Sequence, residues 1–136
     1  MTAVYIETTI PSFYYTTRTD TRSLARQRWT REWWDEIAPS FELHSSDAVI
    51  AELQRGTLED LKTRRIELIS DLNLLDVLDE VVETATIYMD RLLMPRGGAG
   101  DAPHLALASF YSLDVLLTWN CRHLAIPTAW TYRAGQ

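Results

Sequence analysis

The sequence is short of the residues that build several classes of protein. Cys121 is the one cysteine among 136 residues, which excludes an internal disulfide framework and a zinc site made of cysteines. No apolar run approaches the roughly 18 to 20 residues of a membrane helix, and residues 1–5 lack the basic start of a signal peptide. We therefore expect a soluble, cytoplasmic protein with no membrane partner.

Glycine and proline are scarce as well, with five residues of each. Together with a hydrophobic content of 46% and a charged content of 24%, this scarcity excludes collagen-like, repetitive and disordered chains. A chain of 136 residues is also too short for two ordinary domains. We expect one globular domain that spans residues 1–136.

Lysine is nearly absent, since Lys62 is the only one, and the net charge is −6. An acidic balance argues against a protein whose whole surface binds nucleic acid. Arginine supplies the remaining positive charge and is concentrated in residues 18–31. Guanidinium groups suit phosphate and carboxylate partners, but a solvated helix face would produce the same pattern.

Short apolar runs alternate with helical patterns along the chain. The predicted strands are residues 3–7, 41–45, 74–78 and 115–118. The predicted helices are residues 23–37, 58–72, 79–94 and 101–113, and a further helix capped by Asp47 and ended by Gly56. This order predicts an α/β fold, a three-layer sandwich around a central parallel sheet with right-handed crossovers.

Polar residues that are far apart in sequence are predicted to meet at one edge of this sheet. Ligands of parallel sheets bind beyond the carboxyl ends of the strands, and the residues expected there are Glu7, Glu52, Asp101 and Asn120. Carboxylates gathered at one edge repel one another, and a hard divalent cation relieves that repulsion. Mg²⁺ and Mn²⁺ prefer oxygen ligands, so this pattern indicates a phosphodiester site rather than a zinc protease site.

Each of these residues also has a purely structural explanation, which is weakest for Glu7 because it directly follows a buried strand. Glu52 could lie at the surface or pair with Arg55, three residues later on the same helix. Asp101 could simply cap a helix, and Asn120 could shape a turn. His104 would share the helix face of Asp101, where a histidine more often supports a ligand, or lies at the surface, than binds metal itself.

Four segments resemble the VapC-like toxins, a subgroup of the PIN-domain proteins. They are residues 5–12 (YIETTIPS), 46–56 (SDAVIAELQRG), 101–108 (DAPHLALA) and 117–124 (LTWNCRHL). The resemblance covers roughly residues 3–125, with the four segments in the order and spacing of that subgroup. It implies a PIN fold with acidic residues around one or two Mg²⁺ or Mn²⁺ ions. It also implies a ribonuclease that acts as the toxin of a type II toxin–antitoxin pair and is held inactive by its antitoxin.

The resemblance also assigns individual residues. It implies three acids as catalytic residues and metal ligands, namely Glu7, Glu52 and Asp101. Asn120 falls at or near a fourth position that is often aspartate, and Thr9 and Thr118 match hydroxyl positions beside the metal. Asn120 leaves one negative charge fewer, and residues 126–136 do not match the family pattern, which suggests that the C-terminal edge of the sheet lacks a strand.

The resulting hypothesis is a metal-dependent endoribonuclease in which a metal-activated water attacks an RNA phosphodiester in line. Arginines near the cleft would contact the RNA backbone, with Arg18, Arg22, Arg96 and Arg122 as candidates. One alternative is a PIN-like module that has lost catalysis and binds antitoxin or RNA without cleavage. Another is an α/β protein whose acids are only helix caps.

Three tryptophans crowd into one predicted helix and point to self-association. Trp29, Trp33 and Trp34 cannot all be buried in one small core, because each indole is large and its N–H needs a partner. Aromatic residues are enriched at interfaces, and symmetric dimers are the commonest assembly. We therefore expect a homodimer, or an antitoxin contact on the same surface, through the helix of residues 22–37.

Overall fold

The structure is a computed structural model that describes residues 1–90, 101–120 and 131–132, with only the backbone described at residues 84, 85, 88–90, 101, 102, 131 and 132. Five strands, β1 to β5 in chain order, form one sheet; they are Ala3–Ile6, Glu42–Ser46, Asn73–Leu75, Val115–Leu117 and Thr131–Tyr132. Six helices, α1 to α6, flank it; they are Thr9–Tyr14, Thr21–Glu32, Asp47–Gln54, Glu59–Ser70, Asp79–Asp90 and Asp101–Phe110.

The strand order β3-β2-β1-β4-β5 places β1 at the centre of the sheet. The pairs β1–β2, β1–β4 and β2–β3 are parallel, while β5 runs antiparallel to β4. This confirms the predicted parallel α/β architecture. Since Ile6 pairs with Leu117, the carboxyl ends of β1 and β4 lie side by side.

The core lies on both faces of the central strands. Val4, Tyr5 and Ile6 of β1 are at most 2% exposed, as continuous apolar runs in parallel sheets predict. Small residues of α6 are also fully buried, and the buried side chains described on that helix are His104, Leu105, Ala106, Leu107 and Ala108. Alanines let α6 pack closely on the sheet, which matters because α6 begins at the carboxyl edge.

The helix predicted over residues 23–37 is divided in the structure. Helix α2 ends at Glu32, and the chain continues through a π-helical turn, Trp33–Ile37, and a short 3₁₀ turn, Ala38–Ser40. In the π turn the Ala38 N–H reaches the carbonyl of Trp33. This widened turn accompanies the packing of two bulky neighbours, Trp33 and Trp34, against the core.

Two boundary predictions are wrong for a shared reason. The cap of α3 is Ser46, whose Oγ accepts a hydrogen bond from the backbone N–H of Val49, while Asp47 is the first helical residue. Strand β3 ends at Leu75 instead of residue 78, because its last partner in β2 is this same Ser46. The chain leaves the sheet at Ser46, so β3 has nothing further to pair with.

The expected loss of a strand at the C-terminal edge is also wrong. Thr131 and Tyr132 pair with Leu117 and Leu116, so the short β5 occupies the outer side of β4. These two antiparallel pairs occupy the edge at which residues 126–136 had predicted no strand.

Within the described ranges, no helix combines the length and the apolar character that a membrane crossing requires.

Candidate active site

Glu7 follows β1 directly and is the most buried carboxylate of the described part of the chain, with 5% exposure. Its Oε1 accepts hydrogen bonds from the backbone N–H of Thr9 at 2.7 Å and from the Thr9 hydroxyl at 2.5 Å. The Thr118 hydroxyl donates to the same oxygen at 2.9 Å. The side chain is thereby held in one orientation at the carboxyl ends of β1 and β4.

The two threonine hydroxyls each have a defined donor direction. Thr9 Oγ1 accepts from the backbone N–H of Trp119, and Thr118 Oγ1 accepts from that of Asn120, at 2.8 and 2.9 Å. Because an amide N–H can only donate and a carboxylate can only accept, both hydroxyls donate their hydrogen bonds to Glu7. The loop after β4 is therefore tied to the Glu7 carboxylate through Thr9 and Thr118.

No hydrogen bond from the described residues reaches the second oxygen of Glu7, Oε2. The first oxygen, Oε1, thus stabilises the fold, since it accepts the hydrogen bond of the first backbone N–H of α1. This arrangement combines the structural and the functional explanations of Glu7. One oxygen orients the carboxylate, and the other remains for a ligand.

Glu52 lies on α3 and belongs to the same group of side chains. Its Oε2 accepts from the hydroxyl of Thr8, the neighbour of Glu7, at 2.8 Å, and its Oε1 is 2.6 Å from His104 Nε2. The hydrogen-bond partners of Glu52 are thus Thr8 and His104, whereas one structural alternative had paired it with Arg55. Burial favours a higher pKa for the Glu52 carboxyl, but the hydrogen bonds from His104 and Thr8 and the nearby positive charge outweigh it and lower the pKa.

A buried chain of hydrogen bonds runs from Glu52 into the core. His104 is fully buried, and its Nδ1 lies 2.7 Å from the Tyr5 hydroxyl, which lies 2.8 Å from Ser46 Oγ. Burial raises the pKa of Tyr5 far above its ordinary value, so the hydroxyl keeps its proton. The chain therefore links the cap of α3, the centre of β1 and helix α6 to one carboxylate.

The chemistry of the groups fixes one donor in this chain. Ser46 Oγ accepts from the Val49 N–H, and either hydroxyl can donate in the bond between Ser46 and Tyr5. The Glu52 carboxylate can only accept, so the proton shared with it belongs to His104 Nε2. The role of His104 Nδ1 toward the Tyr5 hydroxyl, as donor or as acceptor, depends on the charge and tautomer of the ring. The alternative that His104 lies at the surface is wrong, since the side chain is 0% exposed. That it supports a ligand instead of binding metal stays a prediction.

Asp101 is the first residue of α6, and its side chain lies outside the described residues. Helix α6 precedes the parallel strand β4, so its N-terminus lies at the carboxyl edge of the sheet. His104, one helical turn later, reaches Glu52. Among the described side chains no group of three or more acids, histidines and cysteines is close enough to hold a metal, so the predicted meeting of three carboxylates stays a prediction.

The donor set that is described nevertheless fits a hard cation. It consists of carboxylate oxygens and of threonine hydroxyl oxygens. One carboxylate oxygen, Oε2 of Glu7, accepts no hydrogen bond from the described residues. Oxygen-only sites of this kind suit Mg²⁺ and Mn²⁺ rather than softer metals. Glu7 and Glu52, together with Asp101, are the residues that would hold such an ion.

An open cavity of about 630 Å³ adjoins Glu7 through Thr9. Four residues predicted from the sequence line it, namely Thr9, Arg18, Arg22 and Asn120. The other two candidate arginines, Arg96 and Arg122, lie outside the described residues, as does Cys121. The structure therefore brings two of the four arginines to the side of the carboxylate.

The sequence analysis missed the residues that form hydrogen bonds with the candidate site residues and one arginine of the cavity. Thr8 bonds to Glu52, Tyr5 bonds to its partner His104, and Ser46 bonds to Tyr5. Arg26 lines the cavity beside Arg22. The available signal was spacing. Arg26 lies one helical turn after Arg22, and Tyr5 lies two residues before Glu7, which is the spacing of one face of a strand. Nothing in the sequence indicated which buried polar groups would pair.

Comparison with known proteins found a family match in sequence and a similarity of fold to solved structures. A family model of the PIN domain matches residues 6–126, whereas no curated protein sequence matches the chain. Among solved structures, FitAcB from Neisseria gonorrhoeae is similar at a TM-score of 0.56 and 17% identity, over 87% of this chain and 88% of that one. VapBC2 from Rickettsia felis, bound to a DNA fragment from the VapBC2 promoter, is similar at 0.57 and 14% identity, over 88% and 89%.

Proposed function

The chain belongs to the PIN domain family, and on that premise we propose that it is a metal-dependent endoribonuclease and the toxin of a toxin–antitoxin pair. PIN domains are generally nucleases, which supports hydrolysis of a phosphodiester bond. The resemblance to VapC-like toxins and the similarity of fold to FitAcB and VapBC2 support the pairing with an antitoxin. A cytoplasmic location follows from this proposal.

The observation that carries the proposal is the oriented carboxylate of Glu7. It is buried beside the carboxyl ends of two parallel strands, it is held through one oxygen by Thr9 and Thr118, and its other oxygen has no described partner. An acid needed only as a helix cap would not require two threonine hydroxyls aligned on it. The arrangement is that of a preorganised ligand group.

Mg²⁺ or Mn²⁺ bound by Glu7, Asp101 and Glu52 would supply a water of lowered pKa and would stabilise negative charge on the phosphate. The residues of the chain prepare the site for this chemistry. Thr9 and Thr118 orient Glu7, while Thr8 and His104 orient Glu52. Asn120, at the rim of the cavity, would orient a water or a phosphate oxygen, and Arg18 and Arg22 would contact the RNA backbone.

We expect Asp101→Asn to abolish metal-dependent cleavage of single-stranded RNA and to leave the fold intact. On this proposal the substitution removes one of three neighbouring negative charges, so it should also raise the metal-free melting temperature. The measurement is cleavage of a labelled RNA with Mg²⁺ and with EDTA, beside thermal melts. Asp60→Asn is the matched control, because Asp60 is an exposed acid in the first turn of another helix. Wild-type cleavage by the Asp101 variant would contradict the assignment.

We also expect the chain to form a homodimer through α2 when the antitoxin is absent. Trp29 is 53% exposed, and Leu24 and Ile37 on the same segment are each 48% exposed. Large apolar side chains exposed along one segment favour an interaction surface, because aromatic residues are enriched at interfaces. Light scattering should give twice the mass of one chain, and Trp29→Glu should shift the protein to monomer. Leu58→Glu, at an exposed site before α4, should not. A wild-type monomer at high micromolar concentration would contradict this prediction.

A further inference from the structure

Arg26 is held over two aromatic rings beside the candidate active site. Its guanidinium carbon lies 5.2 Å from the centroid of the Phe13 ring and 5.3 Å from that of the Trp119 ring. Both distances are within the range of an attractive cation–π contact. The side chain is half-buried and is therefore placed by its surroundings rather than free in solvent.

The Trp119 ring that supports Arg26 is itself fixed at both ends. Its indole N–H donates to Thr30 Oγ1 at 2.8 Å, and the Thr30 hydroxyl donates to the carbonyl of Arg26 at 2.6 Å. The backbone N–H of Trp119 donates to Thr9, which donates to Glu7. The position of Arg26 is thus coupled through Trp119 and Thr9 to the Glu7 carboxylate.

Arg26 has no carboxylate partner among the residues that the structure describes. It lines the cavity next to Thr9, together with Arg22, one helical turn earlier on α2, and Arg18. The described lining contains three arginines and no acid. In a protein whose net charge is −6, such a concentration of arginines at one cavity suits an anionic ligand.

We propose that Arg26, with Arg22 and Arg18, binds a backbone phosphate of single-stranded RNA next to the bond that is cleaved, and that Phe13 and Trp119 hold the Arg26 guanidinium ready for it. The inference rests on the proposed function, because it takes the ligand to be the substrate of the same site. A guanidinium held in place loses little freedom when it forms paired hydrogen bonds to phosphate. Arg26 is a binding residue, and the sequence-predicted pair of arginines is part of a group of three.

The experiment measures RNA binding without cleavage. The Glu7→Gln protein is titrated with a fluorescein-labelled single-stranded RNA ten-mer at several salt concentrations, and fluorescence anisotropy reports the affinity. Arg26→Met in this background should weaken binding by about 10-fold, as loss of a charge-assisted contact does. It should also reduce the slope of log affinity against log salt by about 0.7, the contribution of one phosphate on a single strand.

Arg28→Met is the matched control. Arg28 lies on the same helix and carries the same charge, but it is exposed and faces a different hollow beside Glu32 and Asp35. It should change affinity by less than about twofold, as surface charges usually do. Arg22→Met provides a second test in case Arg26→Met destabilises the aromatic packing, because Arg22 is exposed and lines the same cavity.

The outcomes test the phosphate site separately from the endoribonuclease proposal. Equal effects of the Arg26, Arg22 and Arg28 variants would overturn the phosphate site. An affinity for an acidic peptide that depends on Arg26, with no such dependence for RNA, would overturn it as well. If the Glu7→Gln protein binds RNA through Arg26 but the wild type cleaves no RNA, the endoribonuclease proposal fails and the phosphate site stands.

Discussion

Replacing Glu7 by glutamine is expected to reduce RNA cleavage at least about 1,000-fold while the protein stays folded. An amide oxygen can still accept the hydrogen bonds of Thr9 and Thr118, so the local structure should survive. The negative charge that would hold a divalent cation is lost, and such an ion is worth several kcal/mol of transition-state stabilisation. About 4 kcal/mol corresponds to the expected loss of rate.

The measurement is the initial rate of cleavage of single-stranded RNA at saturating Mg²⁺ or Mn²⁺, with melting temperature as the test of folding. Glu67→Gln is the matched control, since Glu67 is exposed on α4. It should cleave at the wild-type rate. A Glu7→Gln protein that cleaves at the wild-type rate would remove Glu7 from the site. Absence of cleavage in the wild type would favour the alternative of a binding module.

Replacing His104 by leucine is expected to lower the free energy of unfolding by about 3 kcal/mol. The imidazole is fully buried and bonds to Tyr5 on one side and to Glu52 on the other. Each buried group left without its partner costs about 1 to 3 kcal/mol. In a chain of 136 residues this loss should lower the melting temperature by about 10 °C. Urea denaturation and thermal melts measure both quantities.

Tyr5→Phe is the comparison for His104→Leu, because it removes only the hydroxyl and should cost about 1 kcal/mol. The double variant should lose less than the sum of the two single losses, since the unsatisfied groups that each creates are removed together. We expect the difference to be at least about 0.5 kcal/mol, as for side chains in one network. Strict additivity would show that Tyr5 and His104 do not act together.

Much of the fold could be predicted from the sequence because buried parallel strands leave a strong pattern. Continuous apolar runs at residues 3–6 and 115–117 indicated central strands, and both are central in the sheet. The exact ends were less predictable. Ser46 and Asp47 both favour helix caps, and only the pairing of Ser46 at the end of β2 decided which residue serves as the cap.

The sequence alone determined where the polar residues gather. Glu7 follows β1 directly and Asn120 lies three residues after the end of β4. Parallel strands end at one edge of the sheet, so the proximity of the two residues follows from topology. Glu52 could be placed near that edge because α3 begins directly after β2. Periodicity and strand order carry this information because they depend on which residues are apolar and in what succession.

Tertiary structure decided which of these groups touch and what each contact does. Glu52 pairs with His104 across 52 positions of sequence rather than with Arg55 on its own helix, and Arg26 rather than Arg18 or Arg22 lies over Trp119. Such pairings depend on ångström-scale packing between separate helices and strands. Hydrogen bonds weaken steeply when distance and angle depart from their narrow optimum, so the contacts exist only once α3, α6 and the loop after β4 are packed against β1.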